Sequence, residues 1–228
     1  MREPLAFRLR PETLDDILGQ EHLVGENGVI RRCLQQGYVF SCIFFGPPGT
    51  GKTTLARVIA DELHKPYRRF NAVTGNKKDL DAIFTEARLS SQLILICDEV
   101  HRLNKDKQDL LLLHVEDGSI ILIGATTANP YHSINPAIRS RCHLFEFKPL
   151  SAEDIRKGLN HALSTEDGLK GEYAIDEAAL DLICDTVNGD IRWALNILEI
   201  SAILAADRHI TKEIVSENCM NVNQRSFG

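Results

Sequence analysis

The residues Gly46-Pro47-Pro48-Gly49-Thr50-Gly51-Lys52-Thr53 fill every position of the pattern G-x-x-x-x-G-K-[ST], whose chemistry is the binding of a nucleoside triphosphate. Glycines in such a loop let backbone N–H groups curl around phosphate oxygens. A helix opening at the end of the loop adds unpaired donors and the positive end of its dipole. In that arrangement Lys52 reaches the β- and γ-phosphates, the Thr53 hydroxyl ligates Mg²⁺, and Thr54 extends the nucleotide-binding set into the helix. A second group, Asp98-Glu99, follows about 45 residues later, one or two βα units on at the usual lengths. Asp98 would hold Mg²⁺ through its water shell, because magnesium dehydrates reluctantly and takes one or two carboxylates plus substrate oxygens. Glu99 is the candidate to polarise the attacking water. An isolated Asp-Glu pair would more often cap the next helix, but with the phosphate loop upstream the catalytic reading is preferred.

These groups need elements to position them. Ser41-Cys42-Ile43-Phe44-Phe45 reads as a buried strand before the loop, and Thr54 to Ala60 as the helix after it. Leu93 to Cys97 is a continuous apolar strand that delivers both carboxylates at its carboxyl end, where ligands of open α/β sheets bind. Ile120 to Ala125 and Leu144 to Phe147 are further strands, and a second strand is expected to end at Asn71. Apolar strands separated by helical patterns imply a parallel sheet with helices on both faces. After Pro149 the pattern is helical only. Ser151 to Leu163 opens with Ser151-x-x-Asp154, and Asp176 to Val187, Asp190 to Ala206 and Thr211 to Cys219 follow, with an exposed excursion at Ser164 to Tyr173. The expected architecture is an α/β nucleotide-binding domain over residues 1–149 followed by a small all-α lid domain over 150–228.

With 228 residues, 43% apolar and 25% charged, the chain can build one large or two small cored domains. No apolar run approaches the roughly 20 residues of a membrane helix. The opening Met1-Arg2-Glu3-Pro4 has no secretory character, so a cytoplasmic location is expected. A net charge of −6 argues against a surface coated in basic groups, so any DNA contact must be local or shared between subunits. Cys33, Cys42, Cys97, Cys142, Cys184 and Cys219 form no C-x-x-C pair and are expected to be reduced and mostly buried. The eight histidines offer no H-E-x-x-H spacing, so no metal beyond nucleotide-bound magnesium is expected.

Several segments taken together carry a family resemblance: Pro4-Leu5-Ala6, Arg10-Pro11, Leu14-Asp15-Asp16, Gly19 to Gly25, the phosphate loop, Asp98 to Arg102, Ile123 to Pro130 and Ser140-Arg141-Cys142. They resemble the replication-associated recombination protein A family. That family includes the Werner-helicase-interacting ATPase and lies in the AAA+ class near clamp loaders and the RuvB branch-migration motor. The resemblance runs from residue 4 to the chain end. His101-Arg102 followed by Lys107-Gln108-Asp109, and the Ile-Gly-Ala-Thr-Thr strand, set it apart from generic phosphate-loop enzymes.

The resemblance implies an AAA+ fold with ATP, ADP and Mg²⁺ as cofactors. It places Arg10-Pro11 and Ile17-Leu18-Gly19-Gln20 against the adenine, although a surface strand-turn would suit that composition equally. Thr127, or else Asn129, matches the polar sensor beside the acidic pair, and Asn71 matches a residue that restrains the catalytic glutamate until DNA binds. Ala128 stands where many relatives carry an acidic residue. Arg141, with Arg139 as competitor, matches the finger projected into a neighbouring subunit's ATP site, where positive charge offsets that developing on the transferred phosphoryl group. Arg192 matches the second sensor on the lid. Lys77, Lys78, Arg102, Lys105 and Lys107 would face DNA through sequence-independent phosphate contacts. Asp79, Asp81, Asp106 and Asp109 dilute that charge, which leaves an ordinary solvated helix face as the competing reading.

The implied activity is DNA-dependent ATP hydrolysis in replication-fork maintenance, recombination and repair. Its implied partners are single-stranded or forked DNA, replication proteins such as single-strand-binding protein, and further copies of the chain, in a nucleoid-associated cytoplasmic setting without membrane contact. Relatives continue past Gln224 to Gly228 into a helical domain that drives tetramer formation, so the expectation is a chain that keeps the chemistry without the assembler. A nucleotide-gated scaffold or clamp-loader-like switch is the alternative. A small-molecule kinase is disfavoured by Glu99 and by the arginine motif.

Overall fold

The computed structural model describes residues 2–223. Contacts divide the chain into two compact units, one spanning Pro11–Lys148 and the other joining the segment up to Arg10 with the chain from Pro149 onward. The first helix, α1 (Leu5–Arg8), therefore belongs with the helical unit and not with the sheet domain to which the sequence reading assigns it. The cause is local: Leu5 is fully buried, its N–H donates to the Glu199 carboxylate at 2.9 Å, and Arg8 lies 3.7 Å from the same carboxylate.

The sheet unit runs α2 (Glu21–Val24), α3 (Val29–Gln35), β1 (Cys42–Phe45), α4 (Lys52–Glu62), β2 (Tyr67–Asn71), α5 (Lys77–Leu89), β3 (Leu93–Asp98), α6 (Lys105–Glu116), β4 (Ile120–Thr126), α7 (Pro130–Ser133), α8 (Pro136–Arg139) and β5 (His143–Glu146). Short 3₁₀ turns occupy Leu14–Asp16 and Val100–Arg102. The five strands are all parallel, in the order β2-β3-β4-β1-β5. Both faces are covered, which explains why β3 reads as an unbroken apolar run. Ile94 and Ile96 enter a core with Leu55, Val58 and Ile59 of α4, while Leu93, Leu95 and Cys97 enter the opposite core with Leu80, Phe84 and Leu111 of α5 and α6. Successive side chains of a strand point to opposite faces, so a central strand under two helical layers has no solvent-facing position to fill with a polar residue.

The helical unit continues with α9 (Ala152–Ser164), β6 (Ala174–Ile175), α10 (Glu177–Thr186), α11 (Ile191–Leu204), β7 (His209–Ile210) and α12 (Lys212–Asn223). Ser151 and Asp154 form the expected capping box at the start of α9, and Asp190 caps α11 by accepting from the Trp193 N–H. The two-residue parallel pair β6–β7 is an addition to the all-helical expectation, too short to register as periodicity. All six cysteines are free, and burial pushes the Cys97 and Cys142 thiols up to about 12, which leaves them chemically inert near neutrality. Among the described residues no helix is long and apolar enough to cross a membrane.

The small β6–β7 pair carries a titratable link between His209 of β7 and Asp176, just beyond β6. His209 Nε2 lies 2.6 Å from Asp176 Oδ1, and this hydrogen bond, then the carboxylate charge, raises the imidazole above its usual range. A histidine with a raised folded-state pKa contributes stability that is complete below its unfolded value and is lost as pH rises through the folded value. The His209→Gln variant is therefore expected to have a lower urea midpoint than wild type at about pH 5.5, a gap that narrows by about pH 8.5. Chemical denaturation at both pH values measures it.

Candidate active site

The site is assembled by register. Pairing sets Asp98 opposite Ala125 and Phe45 opposite Thr126, so the carboxyl ends of β3, β4 and β1 finish level with one another. From β1 the chain enters the phosphate loop at Gly46, whose N–H donates to Thr126 O at 3.2 Å and whose φ is 147°. A Cβ at Gly46 would stand 2.2 Å from the Phe147 carbonyl oxygen, so only glycine fits. Gly51, at φ 98°, is the N-cap of α4 and places Lys52, Thr53 and Thr54 in the first turn, whose N–H groups have no intrahelical partners. Thr50 is buried and its hydroxyl donates to Pro47 O at 2.8 Å, bracing the loop across its own turn. Lys52 lies along the loop, its ammonium donating to Gly46 O at 2.8 Å and Pro47 O at 2.5 Å.

Loop and acidic pair meet directly. Thr53 Oγ1 donates to Asp98 Oδ1 at 3.1 Å, while Asp98 Oδ2 accepts from Arg69 Nη2 at 2.8 Å. A hydroxyl and a carboxylate, both hard oxygen donors, suit Mg²⁺, which keeps several waters and completes its shell with phosphate oxygens. Arg69, from the edge strand β2, went unnoticed in the sequence because its relation to Asp98 is a cross-strand diagonal that only the register Asn71 to Asp98 reveals.

Glu99 sits one residue beyond β3 with φ 55°, a left-handed conformation uncommon for a non-glycine residue and found most often where function holds the backbone in place. Its Oε2 is 3.6 Å from His101 Nε2. His101 Nδ1 in turn lies 2.7 Å from the hydroxyl of Thr126, the buried last residue of β4. Thr127 is exposed one residue farther on. Asn129 spends its side-chain oxygen on the Tyr131 N–H as the cap of α7, and Asn71 spends its own on the Val73 and Thr74 N–H groups.

Gln20 is 5% exposed and its amide brackets the backbone of a single residue: Nε2 donates to Lys148 O at 2.8 Å and Oε1 accepts from Lys148 N at 2.9 Å, with Thr50 O a further 3.4 Å acceptor. The structure thus places Gln20 as a brace behind the phosphate loop. Ile17 packs on the α4-side core and Leu18 is half-buried. Arg10 lies over the Phe7 ring in the helical unit.

Arg141 donates to Ala137 O at 2.8 Å and pairs with Glu116 at the end of α6. Arg139 donates to Tyr131 O. Arg192 is exposed in the first turn of α11, in the helical unit. Lys77 and Lys78 open α5, Lys105 and Lys107 open α6 and Arg102 precedes it, all beyond the carboxyl ends of the adjacent strands β2 and β3. All are exposed except Lys107, whose ammonium stands 5.9 Å from the Phe70 ring centroid.

Residues 42–150 match the family model described as ATPase family associated with various cellular activities (AAA). The match covers just under half of the chain. The chain is 48% identical over 99% of its length to replication-associated recombination protein A of Bacillus subtilis, of which it covers 54%. It is 36% identical over 94% of its length to the ATPase WRNIP1 of Dictyostelium discoideum, covering 25% of that protein. Among solved structures, the Thermotoga maritima RuvB Holliday junction branch migration motor superposes with a TM-score of 0.77 at 28% identity, covering 94% of this chain and 73% of that one. The resemblance to the replication-associated recombination protein A family therefore extends over nearly the whole chain, which spans about half the length of the curated relatives it matches. The segment matched by the family model runs from β1 to just beyond β5 and includes the phosphate loop.

Gln20→Ala strips two hydrogen bonds from the part-buried backbone N–H and C=O of Lys148, each worth about 0.5–1.5 kcal/mol, so it should cost about 1–3 kcal/mol of stability. It should also weaken nucleotide binding by loosening Thr50. Urea unfolding and titration with a fluorescent ATP analogue measure the two effects separately.

Proposed function

We propose that this chain is an ATP hydrolase that converts ATP to ADP and phosphate and couples the step to work on DNA in replication-fork maintenance and recombination. The observation that carries the reading is the Thr53–Asp98 contact at 3.1 Å, which brings the two magnesium ligands together with Glu99 next in sequence. Magnesium, when bound, would offset charge on the phosphate oxygens. The first-turn N–H groups of α4 and the Lys52 ammonium supply fixed positive potential to the transferred phosphoryl group. Glu99 orients the attacking water and accepts its proton as the oxygen–phosphorus bond forms and the bond to the ADP oxygen breaks. Thr127, with Asn129 as the alternative already engaged in a cap, is the polar sensor of this reading. Ile17 and Leu18 supply the apolar surface for the base.

DNA is the proposed macromolecular partner, in single-stranded or forked form. Lysines in the first turns of α5 and α6 oppose the helix dipole, an arrangement that costs stability and suits a surface receiving phosphates. Similarity to proteins named for recombination and for branch migration supports the same partner class. Self-association, contact with single-strand-binding protein and a nucleoid-associated place in the cytoplasm belong to this proposal. A gated scaffold is the second reading, and it draws on Arg141, the proposed finger: paired with Glu116 of its own chain, it serves no neighbour until that pair opens.

Glu99→Gln is expected to lower turnover at least about 100-fold while leaving ATP binding within about threefold. Mixing it with Arg141→Ala should restore part of the activity, because each variant contributes the part the other lacks. Steady-state hydrolysis against protein concentration, with and without forked DNA, reads both effects. Turnover indifferent to Glu99 would sink the hydrolase reading.

A further inference from the structure

The turn that follows the acidic pair is held more firmly than a solvent loop requires. Val100, between Glu99 and His101, is buried against Gly124 of β4, where an added Cβ would come within 3.1 Å of Val100 Cγ1. Glu99 O accepts the Arg102 N–H at 2.8 Å, closing the turn. His101 is thereby pinned between two oxygens, Glu99 Oε2 at 3.6 Å from Nε2 and Thr126 Oγ1 at 2.7 Å from Nδ1. The Thr126 oxygen already accepts the Ala128 N–H at 3.0 Å. Facing a carboxylate, Nε2 is the nitrogen that gains from carrying the imidazole proton, and the Thr126 hydroxyl hydrogen then donates to Nδ1.

We propose that His101 is a positioning residue for hydrolysis: through Nε2–H it holds the Glu99 carboxylate in place, with the Thr126 hydroxyl donating to Nδ1. The proposal rests on the hydrolase reading above. Nothing in the nucleotide-binding pattern calls for it, since the phosphate loop and Asp98 serve ATP without contacting the imidazole. The 3.6 Å separation exceeds direct hydrogen-bond length, and a turn of the flexible Glu99 carboxylate or one bridging water closes it. Such looseness is ordinary for catalytic contacts that tighten with substrate bound. The left-handed Glu99 backbone directs a long side chain with several soft torsions out of a rigid turn, so without a partner the carboxylate samples many positions. Misplacing a reacting group by about 1 Å can cost about 100-fold in rate.

The test compares His101→Ala, His101→Gln and His101→Asn in the full chain, with Glu99→Gln as reference. Glutamine keeps a donor near the Nε2 position, whereas asparagine can reach only toward the Nδ1 side. His101→Ala and His101→Asn should lose about 10- to 100-fold in kcat, with KM for ATP moving less than about threefold. His101→Gln should recover most of the loss. If His101→Ala fails to fold, the glutamine and asparagine variants decide. Equal rates for those two, or an alanine variant within about threefold of wild type, would overturn the positioning role. Should Glu99→Gln itself leave turnover intact, the hydrolase reading falls and this role with it. Loss of turnover in Glu99→Gln without loss in His101→Ala removes the positioning role alone.

Discussion

Everything at the site depends on three parallel strands ending level, with the middle one finishing in small residues. β4 lies between β1 and β3 and ends Gly124-Ala125-Thr126, opposite Phe44 and Phe45 on one side and Cys97 and Asp98 on the other. Parallel hydrogen bonding locks this register, because a one-residue slip would turn every side chain of a doubly buried strand to the wrong core. With small residues in the middle, the phosphate loop and the carboxylates approach across β4 until the Thr53 hydroxyl touches Asp98. A larger residue at Gly124 would first press on Val100 and shift the turn that bears Glu99. The spacing between the loop and Glu99 is therefore set by the volume of side chains on a strand that contributes none of the proposed reacting groups.

Around that frame the polar groups hold one another with little slack. Asp98 is engaged by both oxygens, Lys52 lies on loop carbonyls, and Gln20 clamps the backbone N–H and C=O of Lys148 behind Thr50. Groups held this way lose little further freedom on meeting a ligand, which is how preorganised sites keep the energy of reaction from being spent on rearrangement. Left-handed backbone at Gly46, Gly49, Gly51 and Glu99 is concentrated in the same few turns. Three of those positions are glycine and carry no steric penalty, so within these turns the strain falls on Glu99, while Gln20 behind the loop bears the same left-handed backbone at φ 53°.

The local part of this was legible in sequence. The loop pattern, the apolar strands, the acidic pair and the cap Ser151 each depend on neighbours within a few residues. What stayed hidden depends on chain segments meeting across the sheet. Arg69 reaches Asp98 across 29 residues of chain, His101 reaches Thr126 across 25, and Gln20 reaches Lys148 across 128. Gln20 shows the difference most clearly: its segment resembles one that lies against the adenine, and nothing in that resemblance points to the side-chain amide, which is satisfied on the backbone of Lys148. The first ten residues were misassigned for a related reason, since Leu5 finds its burial beside a helix nearly two hundred positions away.

The state of Arg141 follows from exposure more than from distance. Its guanidinium pairs with Glu116, yet the two side chains are 40% and 41% exposed, so solvent screens the pair and its contribution is under about 1 kcal/mol. An interaction that weak orients the arginine without trapping it. A neighbouring site carrying the charge of a nucleotide's phosphates would compete for the guanidinium with several formal charges against one carboxylate, in a less hydrated setting where each counts for more. Under the finger role proposed for Arg141, the Glu116 contact is a resting position, and control over its opening would pass to whatever brings a second site within reach.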